Sequence, residues 1–231
     1  MTPEQEALFR EQGCLYVQGA LGKDVVQPVK AHVLNELKRL KIWSTGRALS
    51  SRLKGVPIFQ QIGKLGQLIC YPGLKDRLVS RELYSSMRRL AGVNLATGQE
   101  AQLLISLPHQ GDWTLEGLNW HRDISHSKPA LVPGIQVFVL IDDLLPRGGA
   151  TLALAGSPRL KDQSQVKQSM DELIKVGAGR RVPVDGIEVS ILEMAGRAGD
   201  VYLMDMRLLH TPSINSTKNV RMMATTRYFT I

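Results

Sequence analysis

The sequence has few cysteines, and their number limits which kinds of site it can build. Only Cys14 and Cys70 occur among 231 residues. Two cysteines allow at most one disulfide bridge and exclude a metal site made of thiolates alone. The sequence therefore favours a protein that folds without disulfide bridges, in a reducing compartment.

The sequence also lacks a long apolar run and a secretory signal. The most apolar stretch, 135–145, contains Gln136, Asp142 and Asp143, whereas a membrane helix needs about 18 consecutive apolar residues. Residues 1–6 lack the basic and apolar regions of a signal peptide. We therefore expect a soluble protein, located in the cytoplasm.

The chain carries an excess of positive charge. It has 29 lysines and arginines against 21 aspartates and glutamates, a formal charge of +8. Apolar residues make up 43%, which is enough for a full hydrophobic core at this length. The charge favours an anionic partner: a small carboxylate or phosphate, an acyl-CoA, a nucleic acid or a membrane surface. Charge alone does not choose among these partners.

The N-terminal part of the chain has helical patterns. Thr2 is placed to cap a helix that ends at Gly13. Apolar residues at helical spacing predict two more helices. Glycine and proline interrupt the segment 42–72, and we expect it to be irregular. The helices are predicted at Pro3–Gln12, at about 24–41 and at 74–90.

After residue 95 the pattern changes to short strands separated by turns, which is typical of barrels and jelly rolls. A polar segment, 160–180, is expected to be a helix or loop between strands. The sequence thus predicts one domain, 1–231, with a helical part at about 1–95 and a jelly-roll core at about 96–231. Candidate strands lie at 102–107, 134–141, 151–155, 200–205 and 221–229.

A possible metal site begins with the sequence His121-Arg122-Asp123. In an extended segment, side chains at positions i and i+2 project from the same face. Together with His210, which follows a strand-like run, they make a set of two histidines and one carboxylate. That set leaves positions open on a six-coordinate Fe(II) and is typical of non-haem oxygenases.

The His-x-Asp pattern is weak by itself, since 5 histidines give a chance match on the order of one in four. An arginine strengthens it, because Arg221 follows His210 by eleven residues at the start of a strand-like run. A guanidinium at that place can hold the distal carboxylate of a dicarboxylic co-substrate in a bidentate pair.

The sequence resembles the phytanoyl-CoA dioxygenase family of Fe(II)/2-oxoglutarate oxygenases over most of its length. Its opening segment, its metal motif, the strand-turn-strand after that motif and its closing segment are similar to those of the family in order and spacing. The sequence departs from the family pattern in three ways. Arg122 stands where glutamine is more usual, and Ala155 and Pro158 stand where the family's Pro-Gly-Ser-His has proline and histidine. The strand before the metal motif also lacks the lysine with which some members make a second 2-oxoglutarate contact. The similar segments are 2–9, 13–21, 120–123, 137–143, 148–150, 155–157 and 199–201, followed by His210, Asn215 and Arg221.

The resemblance implies an activity and its cofactors. His121, Asp123 and His210 would be the Fe(II) ligands and catalytic residues, and Arg221 would pair with the 5-carboxylate of 2-oxoglutarate. With O2, such an enzyme hydroxylates a small molecule and releases succinate and CO2. The carboxylate of Asp123 favours hydroxylation over halogenation, because related halogenases carry glycine or alanine at that position.

Two further polar residues are candidates for binding the co-substrate or the substrate. Counting by twos along its strand places Arg227 on the same face as Arg221, although a surface ion pair explains it equally well. Gln136 lies in an apolar run, where an unpaired amide is costly, so it lines the pocket or lies at a solvated edge. Trp113 and Trp120 flank the metal motif, but aromatic residues near strands belong more often to a core.

Two alternatives remain open at this point. Arg221 and Arg227 reproduce the Arg-x5-Arg spacing of AlkB-type nucleic-acid dealkylases, although the interval from His210 to Arg221 is short for them. A basic β-barrel module without enzymatic activity is the second alternative; it predicts no iron affinity and nucleic-acid binding that weakens steeply with salt.

Overall fold

The computed structural model describes residues 1–44, 47–48, 53, 55–97, 100–124, 131–160 and 163–231, without the side chains of 47–48, 97 and 163–169. Six α-helices lie within these ranges, together with one short 3-10 helix at Ser157–Arg159. Among the described residues, no helix is long and apolar enough to cross a membrane. The helices are α1 (Pro3–Gln12), α2 (Lys23–Arg39), α3 (Ile58–Leu68), α4 (Leu74–Leu78), α5 (Arg81–Ala91) and α6 (Gln163–Val176).

The β-structure consists of two facing antiparallel sheets and a short hairpin. The larger sheet has the order β1-β10-β6-β12-β4, with β5 also paired to β12, and the smaller has the order β11-β7-β9-β8. This is the jelly-roll fold that the sequence predicts, with helices packed on the larger sheet. The strands are β1 (Cys14–Val17), β2 (Trp43–Ser44), β3 (Arg47–Ala48), β4 (Leu95–Thr97), β5 (Gln102–Ser106), β6 (Gly134–Leu140), β7 (Thr151–Ala155), β8 (Arg181–Val184), β9 (Ile187–Glu193), β10 (Val201–Asp205), β11 (His210–Pro212) and β12 (Arg221–Thr230).

Strand β6 shows how the layers are separated. Its odd-numbered residues, such as Val137 and Val139, join an apolar cluster with the N-terminal helices. Its even-numbered residues Phe138 and Leu140 join a second cluster that includes Ala153 of the facing sheet. Because successive side chains of a strand point to opposite faces, one strand contributes to the helical layer and to the space between the sheets. The functional residues described below belong to that inner space.

Two helical predictions need correction. The segment 74–90 is not one helix: the chain leaves α4 at Val79, and Ser80 caps α5 by accepting a hydrogen bond from the backbone N–H of Leu83. Serine competes for backbone donors at a helix start, which favours a new N-terminus there. The segment 42–72 is not entirely irregular, because it contains α3.

Glycine in α3 serves close packing instead of a turn. A Cβ added at Gly66 would lie 2.0 Å from the carbonyl oxygen of Leu103, so the helix backbone rests directly on strand β5. A pattern that counts glycine as a helix breaker therefore misses α3. The predicted set of strands also lacks β2, β3, β4, β8, β9 and β11.

Asp200 ties the N-terminal segment to the larger sheet. Its carboxylate accepts hydrogen bonds from the hydroxyl of Tyr16 and from the backbone N–H groups of Gly19 and Arg197, the latter two at 2.7 Å. Burial raises the pKa of Asp200, but these hydrogen bonds and the charge of Arg197 outweigh it and lower the pKa below its usual 3.8. A carboxyl group whose pKa is lower in the folded than in the unfolded state stabilises the fold at a pH above its unfolded pKa. This contribution to the free energy of unfolding is lost as the pH falls through the folded pKa.

We expect Asp200→Asn to lower the free energy of unfolding by about 1–3 kcal/mol at neutral pH, because an amide NH2 group cannot accept from both backbone donors. The difference from the wild type should narrow as the pH falls below about 4, where the aspartate of the unfolded chain becomes protonated first and that of the folded protein at lower pH. Urea unfolding at several pH values measures it. A difference that stays constant across the acid range would contradict this role of the charge.

Candidate metal centre and co-substrate pocket

The three predicted metal ligands lie together at one end of the inner space. One donor atom from each of His121, Asp123 and His210 can be chosen so that all three lie within 4.8 Å of one another. His210 belongs to β11, which pairs with β7. The backbone N–H and C=O groups of His121 and His210 exchange two hydrogen bonds, of 3.0 and 2.9 Å, which join the motif segment to the edge of the smaller sheet.

Backbone carbonyls orient both imidazoles. Nδ1 of His121 lies 3.1 Å from the carbonyl oxygen of Asn119, and Nδ1 of His210 lies 3.0 Å from that of Leu208. Each Nδ1 therefore carries the proton and donates it, and the lone pair of Nε2 is left available. Metal-binding histidines are commonly held by such a donated hydrogen bond.

Burial keeps His210 in the form that can bind a metal. The residue is 5% exposed, and the burial lowers the pKa of its imidazole below the usual 6.5. A neutral imidazole at physiological pH has a free lone pair, as metal binding requires. Together with a half-buried carboxylate, the donor set suits Fe(II) in kind and in number.

Arg227 contacts the carboxylate of the motif. Its Nη2 lies 3.2 Å from Oδ1 of Asp123, and its Nε lies 3.3 Å from Oδ2. One edge of the guanidinium thus faces both oxygens of the carboxylate. Arg227 lies on β12 opposite Gln136 of β6, so the sheet register fixes the place from which it reaches Asp123.

Arg221 is buried in the same inner space with part of its guanidinium unpaired. Its exposure is 2%, and Nη1 donates to the carbonyl oxygen of Gly149 at 2.6 Å. Neither Nε nor Nη2 has a hydrogen-bond partner among the described residues. Burial lowers the pKa of Arg221 to about 10, which still leaves it charged at neutral pH. A buried cation with two free donors is a site for an anion.

Asn215 holds the surroundings of Arg221 in place. It is fully buried; its Nδ2 donates to the carbonyl oxygen of Asn219 at 2.8 Å, and its Oδ1 accepts from both N–H and Oγ1 of Thr217. A Cβ added at Gly149 would lie 2.9 Å from Cβ of Asn215, so only glycine allows this approach. Asn215 thereby fixes the carbonyl that Arg221 binds, a role that the sequence motif alone does not reveal.

Gln136 lies in the inner space, not at a solvated edge. It is 2% exposed, and its Nε2 donates to Oγ1 of Thr225 at 2.9 Å. Its Oε1 has no partner among the described residues. The side chain therefore presents one unpaired acceptor beside the row that contains Arg227.

The tryptophans that flank the motif belong to a core. Trp113 and Trp120 pack against the outer apolar cluster of the smaller sheet, which contains Leu152, Leu154 and Leu173 of α6. This packing is what the more common interpretation of such aromatic residues, as part of a core, predicts.

Comparisons with known proteins agree with this geometry. A family profile described as "Phytanoyl-CoA dioxygenase (PhyH)" matches residues 9–223. No curated protein sequence matches the chain. Among solved structures, the carbocyclase SnoK from nogalamycin biosynthesis aligns with a TM-score of 0.65 at 17% identity, over 100% of this chain and 84% of its own.

Two other similar structures were solved with 2-oxoglutarate. HygX from Streptomyces hygroscopicus, with nickel and 2-oxoglutarate bound, aligns with a TM-score of 0.63 at 17% identity, over 100% of this chain and 87% of its own. EctD from S. alaskensis, with 2-oxoglutarate and 5-hydroxyectoine, gives 0.64 at 17% identity, over 100% and 77% of the two chains. At 17% sequence identity, these structural similarities show a shared fold.

The fold and the His-Asp-His cluster define the chain as a non-haem iron, 2-oxoglutarate-dependent oxygenase, which uses O2 as its other co-substrate. Within that class, it belongs to the phytanoyl-CoA dioxygenase family, whose profile covers most of its length. The resemblance seen in the sequence is thus confirmed.

Proposed function

We propose that this protein hydroxylates an unactivated C–H bond of a small, anionic molecule, with conversion of 2-oxoglutarate to succinate and CO2. One observation carries the proposal: the buried guanidinium of Arg221 has two donors without a partner among the described residues, in the inner space that also holds the His-Asp-His cluster. An anionic co-substrate satisfies both donors at once.

The assignment of metal ligands is part of the proposal. His121 and His210 would bind Fe(II) through Nε2, and Asp123 through its carboxylate. The orientation of both imidazoles by backbone carbonyls supports this assignment. When bound, Fe(II) supplies with 2-oxoglutarate and O2 the oxidising equivalent that inserts one oxygen atom into the substrate C–H bond.

The remaining polar side chains orient the reactants in this proposal. Arg221 would pair with the 5-carboxylate of 2-oxoglutarate through its free guanidinium edge. Gln136 would offer Oε1 to a donor on the substrate. Arg227 would act first through Asp123, whose carboxylate it faces, and its 27% exposed side chain would attract an anionic substrate toward the metal.

The thiols and the net charge support a cellular compartment and a substrate class. Both Cys14 and Cys70 are free, which suits a reducing compartment such as the cytoplasm. The net charge of +8 supports a substrate that carries a carboxylate or a phosphate. The AlkB-type and non-enzymatic alternatives are not carried forward, because the chain belongs to a different oxygenase family.

We expect His210→Ala to bind Fe(II) much more weakly and to lose 2-oxoglutarate turnover, because one of three protein ligands is gone. Iron content after reconstitution and succinate release under O2 measure the two effects. Circular dichroism should show that the fold is retained, since His210 lies at a sheet edge. Wild-type levels of bound iron in the variant would refute the ligand assignment.

We expect Arg227→Met to weaken Fe(II) affinity by about 10- to 100-fold, the usual effect of removing a residue that holds a metal ligand. Methionine keeps the length of the side chain but cannot hold the carboxylate of Asp123. Competition with a chromophoric chelator under nitrogen measures the affinity.

Arg39→Met is the matched control, because Arg39 also pairs with a carboxylate, that of Glu36, on an exposed helix face. It should leave Fe(II) affinity unchanged. Equal affinities for Arg227→Met and the wild type would mean that the Arg227–Asp123 pair does not position the ligand.

A further inference from the structure

The hydroxyl group of Ser106, next to Arg221, is a further hydrogen-bond donor without a partner among the described residues. The residue is buried, with an exposure of 0%. Buried hydroxyl groups are nearly always hydrogen-bonded, so an unpaired one indicates a missing partner. Ser106 is absent from the set of predicted site residues, because no sequence motif contains it.

The sheet register brings the two residues together. Ser106 of β5 lies directly opposite Arg221 of β12 in an antiparallel pair. Side chains at paired positions share one face, and their Cβ atoms lie about 4.5–5.5 Å apart. The hydroxyl and the guanidinium therefore lie side by side on the face of the larger sheet that points to the inner space.

The unpaired donors of Arg221 form one edge of its guanidinium. Nη1 is occupied by the carbonyl oxygen of Gly149, which leaves Nε and Nη2 side by side. That edge matches the two oxygens of a carboxylate in a bidentate pair. Each carboxylate oxygen has a second lone pair, and the hydroxyl of Ser106 is placed to donate to one of them.

Asn215 lies next to the backbone of Ser106 and the backbone of Gly149. Its Nδ2 lies 3.5 Å from the carbonyl oxygen of Ser106, and its Cα and Cβ pack against Gly149, to which Arg221 donates. The buried residue Asn215 therefore contacts both Ser106 and Gly149, and Gly149 in turn holds Arg221. This arrangement indicates a built anion site and not a chance gap in the packing.

We propose that Ser106 is a specificity-determining residue that donates a third hydrogen bond to the distal carboxylate of 2-oxoglutarate, beside the two from Arg221. The inference rests on the proposed function and deepens it. The three donors select a co-substrate that ends in a carboxylate, because any other end group leaves buried donors unpaired.

The test compares two ligands that differ only at the distal end. 2-Oxopentanoate has the chain length of 2-oxoglutarate, with a methyl group in place of the distal carboxylate. Dissociation constants of both are measured without O2 on Fe(II)-loaded protein, for the wild type and for Ser106→Ala. We expect Ser106→Ala to bind 2-oxoglutarate about tenfold more weakly, as for loss of a hydrogen bond to a charged group, and 2-oxopentanoate as the wild type does.

Two more variants control for packing and stability. Ser106→Cys keeps nearly the same volume with a weaker donor, so it should also lose 2-oxoglutarate affinity while remaining folded. Ser80→Ala removes the hydroxyl that caps α5 and should leave both dissociation constants unchanged. These controls separate a lost hydrogen bond from a general loosening of the fold.

The outcomes distinguish this inference from the proposed function. If the wild type binds 2-oxoglutarate and both Ser106 variants bind it equally well, the role of Ser106 is refuted and the proposed function stands. An equal loss for both ligands also refutes it, because that pattern reports a deformed pocket. If the Fe(II)-loaded wild type binds no 2-oxoglutarate, both proposals fail together.

Discussion

The arrangement of the site depends on one constraint: the buried guanidinium of Arg221 needs an anionic partner. A charge removed from water is tolerated only where it is paired. Among the described residues, the carbonyl of Gly149 accepts from Nη1 of Arg221, and Nε and Nη2 have no partner. Apolar residues such as Phe138, Leu140 and Met223 line part of the same inner space. Arg221 therefore offers an anion a buried place to bind, in the space that also holds the His-Asp-His cluster.

The jelly roll assembles this site from distant parts of the sequence. The larger sheet supplies Arg221 and Arg227 from β12 and Gln136 from β6, while the edge of the smaller sheet supplies His210. Backbone hydrogen bonds between His121 and His210 then fix the motif segment against that edge. Strand pairing and backbone hydrogen bonds thus bring the His-Asp-His cluster and the buried guanidinium of Arg221 to the same inner space.

The sequence predicts the parts of the site that follow from local periodicity. His121 and Asp123 share a face because they are two residues apart, and counting by twos correctly brings Arg227 to the face of Arg221. It does not reveal that Arg227 meets Asp123, since that contact joins residues 104 apart in the chain. Ser106 escapes prediction because its neighbour is set by the register of β5 against β12. Helix α3 is missed because Gly66 packs against a backbone carbonyl, a tertiary reason for glycine that no local pattern contains.

An anaerobic absorbance titration tests the central claim most directly. Fe(II)-loaded protein is titrated with 2-oxoglutarate while the visible spectrum is followed, since chelation of the metal by the 2-oxoacid produces a weak charge-transfer band. We predict a saturable band with one 2-oxoglutarate per protein, which is absent when 2-oxoglutarate is added to the metal-free protein. Absence of the band with Fe(II) and 2-oxoglutarate both in excess would contradict the account.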